Sequence, residues 1–142
     1  PLAKGALLAD EVGLGKTIEA GLVIAQRWAE RRRRILVIVP ANLRKQWHQE
    51  LADKFGLQAS ILDAQSYRQE TRDGNLRPFD VSGARERIVI CSYQFAAARA
   101  DEVATVAWDL VVLDEAHRLR NVYKPDNKIA RALKDALGPA RK

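Results

Sequence analysis

Three apolar runs without polar alternation set the limits on how this chain can fold: Ile35-Leu36-Val37-Ile38-Val39, Ile88-Val89-Ile90-Cys91 and Leu110-Val111-Val112-Leu113. A strand with one wet face alternates apolar and polar residues. Unbroken runs belong to strands covered on both faces, as in a parallel sheet sandwiched by helices. Pro40 ends the first run, and Gly5 to Ala9 and Ala59 to Leu62 read as shorter strands. Helical patterns fill the gaps. From Thr17, the residues Ile18, Leu22, Ala25 and Trp28 recur at spacings of three and four, which predicts a helix with that face toward a core. Gly21 inside it costs about 1 kcal/mol against alanine and implies a close backbone approach. A second helix is expected to start with Asn42 as N-cap and to bury Leu43, Trp47 and Leu51, making Trp47 a core residue and not a base-stacking platform. Residues 63–85 are polar, carry Gly74, Pro78 and Gly83, and read as a mobile surface excursion with one short helix. A last helix is expected over residues 127–137, with Ile129, Leu133 and Leu137 at spacing four and Pro139 as its stop. Such alternation implies right-handed crossovers, a mostly parallel sheet with helices on both faces, and a ligand beyond the carboxyl ends of the strands.

At 142 residues the chain is one domain's worth, long enough for a real core. No apolar run approaches the roughly 20 residues of a membrane span and no secretory signal opens the sequence. A cytoplasmic protein without a membrane partner is expected. The chain starts at Pro1 and has no methionine, which reads as a piece of a longer protein. Its single cysteine, Cys91, falls in an apolar run and reads as a buried strand thiol, so neither disulfides nor zinc frame the fold. The net charge of +6 is local: Arg31-Arg32-Arg33-Arg34 supplies four of the 24 basic side chains, and without it the balance against 18 acidic ones is +2. The tetrad reads as a solvated helix end complementing the macrodipole, with a phosphate contact or a localisation signal as alternatives.

Two short stretches carry the chemistry. In the first, Asp10-Glu11-Val12-Gly13-Leu14-Gly15-Lys16-Thr17 follows a strand and opens a helix. Gly13 and Gly15 let backbone N–H groups approach the phosphates of a nucleotide at a helix start, where the dipole adds positive potential. Lys16 is placed to reach the β- and γ-phosphates and the Thr17 hydroxyl to ligate Mg²⁺. The full phosphate-loop pattern has a glycine where this chain has Asp10. The second stretch is Asp114-Glu115-Ala116-His117, at the end of an apolar strand. Asp114 is suited to hold Mg²⁺ partly through water, and Glu115 to orient or deprotonate the attacking water. An Asp-Glu pair after a strand is otherwise a plain helix N-cap; the glycine-rich loop upstream tips the reading to a nucleoside triphosphatase. His48 is the only other histidine, so His117 reads as a coupling residue toward a second domain and not as a metal ligand.

The stretch Ala9 to Gly21 resembles motif I of the SWI/SNF-type helicase-like ATPases of superfamily two, in which aspartate replaces that first glycine. The similarity continues in order: Val37-Ile38-Val39-Pro40-Ala41-Asn42-Leu43 with Gln46-Trp47 resembles motif Ia, Ile90-Cys91-Ser92-Tyr93 motif Ib, and Asp114 to Asn121 motif II. The wording of motif I is closer to bacterial members, including one that recycles RNA polymerase. The resemblance implies a RecA-like P-loop lobe, α/β in class. It implies ATP and Mg²⁺ as cofactors, with Asp10, Gly13, Leu14, Gly15, Lys16, Thr17 and Ile18 at the nucleotide. It also implies double-stranded DNA as the polymer, its backbone touched at Pro40, Ala41, Asn42, Leu43, Ser92 and Tyr93, and a nucleoid association if the source is bacterial. Such a motor needs a second RecA-like lobe carrying an arginine finger. Residues 1–142 therefore read as the first lobe alone, nearly inactive by itself. A strand-separating helicase of the same superfamily is the near alternative. A nucleotide-gated module docking on RNA polymerase or another complex is the distant one, and a small-molecule P-loop kinase has no role for Glu115-Ala116-His117.

Overall fold

The computed structural model describes residues 6–9, 14–81 and 87–114, with side chains from residue 18 onward in those ranges. Five strands form one sheet in the order β1-β5-β2-β4-β3: β1 is Ala6–Ala9, β2 Arg34–Val39, β3 Ala59–Ile61, β4 Arg87–Ser92 and β5 Leu110–Asp114. Every neighbouring pair is parallel. The apolar runs are its three central strands, buried along almost their whole length. Their period of two splits them between two cores. Ile35, Val37, Val39, Ile88, Ile90, Leu110 and Val112 face one layer, and Leu36, Ile38, Val89, Cys91, Val111 and Leu113 the other.

Helix α1 (Leu14–Ala29) and helix α2 (Arg44–Phe55) cover the first face through Ala20, Ile24, Trp47 and Leu51. The buried face of α1 is shifted from the expected one: of the expected residues, Ala25 and Trp28 are partly buried against this core. Ile18 is 39% and Leu22 58% exposed, while Ala20 and Ile24 are buried. Gly21 lies against α2: a Cβ there would lie 2.1 Å from the Phe55 ring. The close approach expected at Gly21 is made by an aromatic side chain and not by another backbone.

The start of α2 also differs. Pro40 is extended, Ala41–Leu43 form a single 3-10 turn closed by a Leu43 N–H to Pro40 carbonyl bond of 2.9 Å, and the helix begins at Arg44. Asn42 is inside that turn and is not the N-cap. Gly56 ends α2 in the left-handed conformation at φ 63°, where a glycine avoids the steric penalty of a side chain.

The second face is covered by α3 (Ala64–Arg72), α4 (Tyr93–Ala98), α5 (Ala100–Ala104) and the segment before β4. That segment corrects the expectation that 63–85 lies on the surface: Phe79 and Val81 are fully buried in this core beside Trp108. Helix α3 forms because Asp63 and Ser66 make a reciprocal capping box, each side chain accepting from the other's backbone N–H at 2.9 and 2.8 Å. Those bonds hold the Asp63 carboxyl below the ordinary carboxylate range, with Arg44 nearby adding to the effect. The arginine tetrad closes α1 at the amino end of β2. Arg33 donates to the Trp28 carbonyl and stacks on its ring, Arg32 lies 3.7 Å from Glu30, and the Arg34 N–H bonds Asp109. The expected helix end is thus found in part: Arg31 to Arg33 form the turn after α1, and Arg34 already belongs to β2. The expected helix over 127–137 lies outside the described residues.

Candidate nucleotide site

The two sequence motifs meet because β1 and β5 are neighbours. Their register pairs Ala9 with Asp114, so both strands end at the same level of the sheet. Helix α1 starts at Leu14, which puts Leu14, Gly15, Lys16 and Thr17 in its first turn, just beyond β1. No acidic residue stands in that turn, and its unpaired N–H groups suit an anion. Asp10 and Gly13 lie outside the described residues, as do the side chains of 14–17, together with Glu115 and His117. Ile18, half-exposed on the outer side of α1, is the first side chain described after the loop.

Asp114 is 7% exposed, one of two buried polar residues among those described. Its surroundings explain how a carboxylate is tolerated there. The indole N–H of Trp47, on α2, donates to its Oδ2 at 2.9 Å, and the Tyr93 hydroxyl, at the start of α4, donates to its backbone carbonyl. An indole N–H can only donate, so the bond fixes the rotation of the carboxylate. A hard oxygen ligand fixed at the strand end beside a helix start fits Mg²⁺. Among the described residues no group of three or more His, Cys, Asp or Glu side chains could cage a cation. A Mg²⁺ held by one carboxylate, a hydroxyl and substrate phosphates needs no such cage.

The residues expected at the polymer separate into two kinds. Ala41 and Asn42 are exposed and Leu43 half-buried in the turn after β2, whereas Pro40 is buried. Ser92 and Tyr93 are also buried: the Ser92 hydroxyl caps α4 by accepting from the Phe95 N–H at 3.0 Å, and Tyr93 packs in the second core. Their side chains therefore do structural work within the fold, while the turn after β2 is exposed. Sequence reasoning missed a neighbouring depression of about 510 Å³ lined by Arg44, Arg68, Gln65 and Gln94. Arg44 directly follows motif Ia, which was a usable signal. Arg68 sits in the stretch read as excursion and carried none.

A parallel sheet whose edge strand feeds a glycine-rich loop into a helix, beside a strand that leads into Asp-Glu-Ala-His, defines the nucleotide-binding lobe of a helicase-like ATPase. Comparison with known proteins gives the family: residues 2–137 match the SNF2-related domain, and the chain belongs to that family. It is 45% identical over 117 residues to the RNA polymerase-associated protein RapA of Yersinia pseudotuberculosis (serotype O:1b, strain IP 31758), covering 80% of this chain and 12% of that protein. The RapA protein of Yersinia pestis (strain Pestoides F) is 44% identical over the same length. Among solved structures, the Sulfolobus solfataricus SWI2/SNF2 ATPase core in complex with double-stranded DNA superposes over 94% of this chain and 26% of its own, with a TM-score of 0.66 and 26% identity. The chain thus spans about an eighth of the length of these curated relatives.

Proposed function

We propose that residues 1–142 are the first RecA-like lobe of a DNA-dependent ATPase that moves along duplex DNA, with ATP and Mg²⁺ held at the ends of β1 and β5. The observation that carries this reading is the Ala9–Asp114 register, in which the strand leading to the proposed phosphate loop ends level with the acidic strand end. Bound Mg²⁺-ATP supplies the scissile phosphoanhydride and a cation that offsets charge on the transferring phosphoryl group. The chain supplies the rest. The first turn of α1 offers N–H groups and Lys16 to the phosphates, Thr17 and Asp114 offer oxygen ligands, and Glu115 orients the attacking water and takes its proton. His117 passes the state of the site to a second lobe. The rim beyond β2, with Ala41, Asn42, Arg44 and Arg68, meets the DNA backbone, a contact that positions without reading sequence. The Sulfolobus core's complex with duplex DNA supports this choice of polymer. Identity to proteins named for association with RNA polymerase supports a parent that docks on that enzyme, in the cytoplasm or at the nucleoid.

The test compares this chain with its full-length parent. An arginine finger supplies about 10³ to 10⁵ in rate in nucleotide hydrolases, and in this family it comes from the lobe across the cleft. The isolated chain is therefore expected to hydrolyse ATP barely at all, with or without DNA, and the parent to show DNA-stimulated turnover. Stimulated turnover at the parent's rate by residues 1–142 alone would overturn the two-lobe reading.

A further inference from the structure

Asp114 is gripped from both sides of the sheet, and each grip comes from the start of a helix that follows a strand end. Trp47 is the fourth residue of α2, directly behind the Ala41–Leu43 turn that follows β2, and packs in the core on one face. Tyr93 is the first residue of α4, directly behind Ser92 at the end of β4, and packs in the core on the other. Their polar ends converge on one residue, the indole N–H on the Asp114 carboxylate and the phenol hydroxyl on its backbone carbonyl. Both side chains are 2% exposed. Close-packed aromatic rings with two torsions each have little slack, so a displacement of the turn after β2 or of the β4–α4 junction is passed to the hydrogen bond at the ring's far end.

We propose that Trp47 and Tyr93 are positioning residues that tie the turn after β2 and the junction of β4 with α4 to Asp114, so that DNA held at this rim sets the geometry of the carboxylate offered to Mg²⁺. The proposal rests on the reading of Asp114 as a metal ligand. Partners that orient a metal-binding carboxylate typically govern metal affinity by about 10- to 100-fold. Both donors are therefore expected to act on metal binding and on its response to DNA, beyond any effect on folding.

The experiment uses the full-length parent with Mn²⁺ as the probe, its affinity read by electron paramagnetic resonance in the presence of ATP, with and without duplex DNA. Trp47→Phe removes the indole N–H while keeping an aromatic ring, and Tyr93→Phe removes a single hydroxyl; a thermal melt of each reports folding. Asp114→Asn is the reference. The expected result is loss of Mn²⁺ binding in Asp114→Asn, about tenfold weaker binding in Trp47→Phe, and a reduced DNA-induced change in Mn²⁺ affinity in both Phe variants. Loss of Mn²⁺ binding in Asp114→Asn alone, with the Phe variants unchanged in affinity and in DNA response, overturns the positioning role and leaves the metal reading standing. A lowered melting temperature without a change in Mn²⁺ binding overturns it equally, since it makes the two bonds purely structural. Unchanged Mn²⁺ binding in Asp114→Asn removes the metal reading, and the proposal falls with it.

Discussion

Alanine at Gly21 tests how the helix carrying the phosphate loop is seated. A Cβ at that position would lie 2.1 Å from Phe55 Cε2, 2.5 Å from Cζ and 2.9 Å from Cδ2. Carbon atoms pack at about 3.5–4.0 Å, so the ring has to withdraw by roughly 1.5 Å or α1 has to lift by a similar amount. Overpacking of this kind costs about 1–3 kcal/mol. Replacing a mid-helix glycine by alanine gains about 1 kcal/mol. With Phe55 present the first effect wins, and Gly21→Ala should destabilise the protein by about 1 kcal/mol. In a Phe55→Ala background the ring is gone and only the helical gain is left, so the same substitution should stabilise by about 1 kcal/mol. The sign reversal corresponds to a coupling of about 2 kcal/mol, measurable by urea unfolding of the four proteins of the cycle followed by circular dichroism. Because Gly21 stands one turn beyond Thr17, any lifting of α1 also shifts the loop. The single variant should therefore bind ATP several-fold more weakly than the double. Equal, additive effects of Gly21→Ala in both backgrounds would refute the close seating of α1 on α2.

On the proposed reading of Lys16 as a phosphate ligand, Lys16→Ala should abolish ATP binding by calorimetry while leaving the melting temperature near that of the parent. Glu115→Gln in the full-length protein should retain ATP and stop turnover; near-normal hydrolysis would assign the water to another residue. Cys91 is fully buried and its thiol is pushed up to about 12 by desolvation, so iodoacetamide at pH 8 should modify it only as fast as the protein opens. The same shift has a sign for stability: above the ordinary thiol range the unfolded chain loses a proton that the folded one keeps, so Cys91 should make stability fall as pH rises toward 12. A Cys91→Ser or Cys91→Ala variant should lack that part of the alkaline slope. DNA binding should be indifferent to sequence, with log K falling by about 0.9 per phosphate contact as log salt rises; sequence-specific binding that survives high salt would contradict a backbone-tracking rim.

The fold was legible where one physical signal dominated. Short unalternated runs rich in Val and Ile read as strands buried on both faces, and the structure places Ile35–Val39, Ile88–Cys91 and Leu110–Leu113 at the centre of the sheet. The helix faces were less legible, because a spacing of three and four is shared by more than one stripe. On α1 the large residues Ile18 and Leu22 are exposed, while Ala20 and Ile24 are buried and Gly21 lies against Phe55. The turn before α2 misled for a local reason: Asn42 is a good N-cap type, but the bond from the Leu43 N–H back to Pro40 closes a tighter turn first. Phe79 and Val81 were hidden among polar neighbours, and only the long crossover from β3 to β4 makes them core.

The site divides along the same line. Residues that act on a ligand directly are dictated by chemistry, so Lys16, Thr17, Asp114 and Glu115 can be nominated from type and order alone. Residues that hold those in place are dictated by tertiary geometry, and sequence sees only half of each. Trp47 reads correctly as core from its spacing with Leu51, but nothing in that spacing tells where the one polar atom of the indole points. In the structure the N–H points across the end of the sheet at Asp114, 67 residues away. Tyr93 is the reverse case: its place in motif Ib marked it for the polymer, while its ring is buried and its hydroxyl serves the same aspartate from the opposite face. A buried carboxylate at a strand end is costly unless donors reach it. Trp47 supplies such a donor to the carboxylate itself, while Tyr93 holds the backbone of the same residue, so the bonds that seat Asp114 in the fold are also those through which the segments after β2 and β4 can act on it.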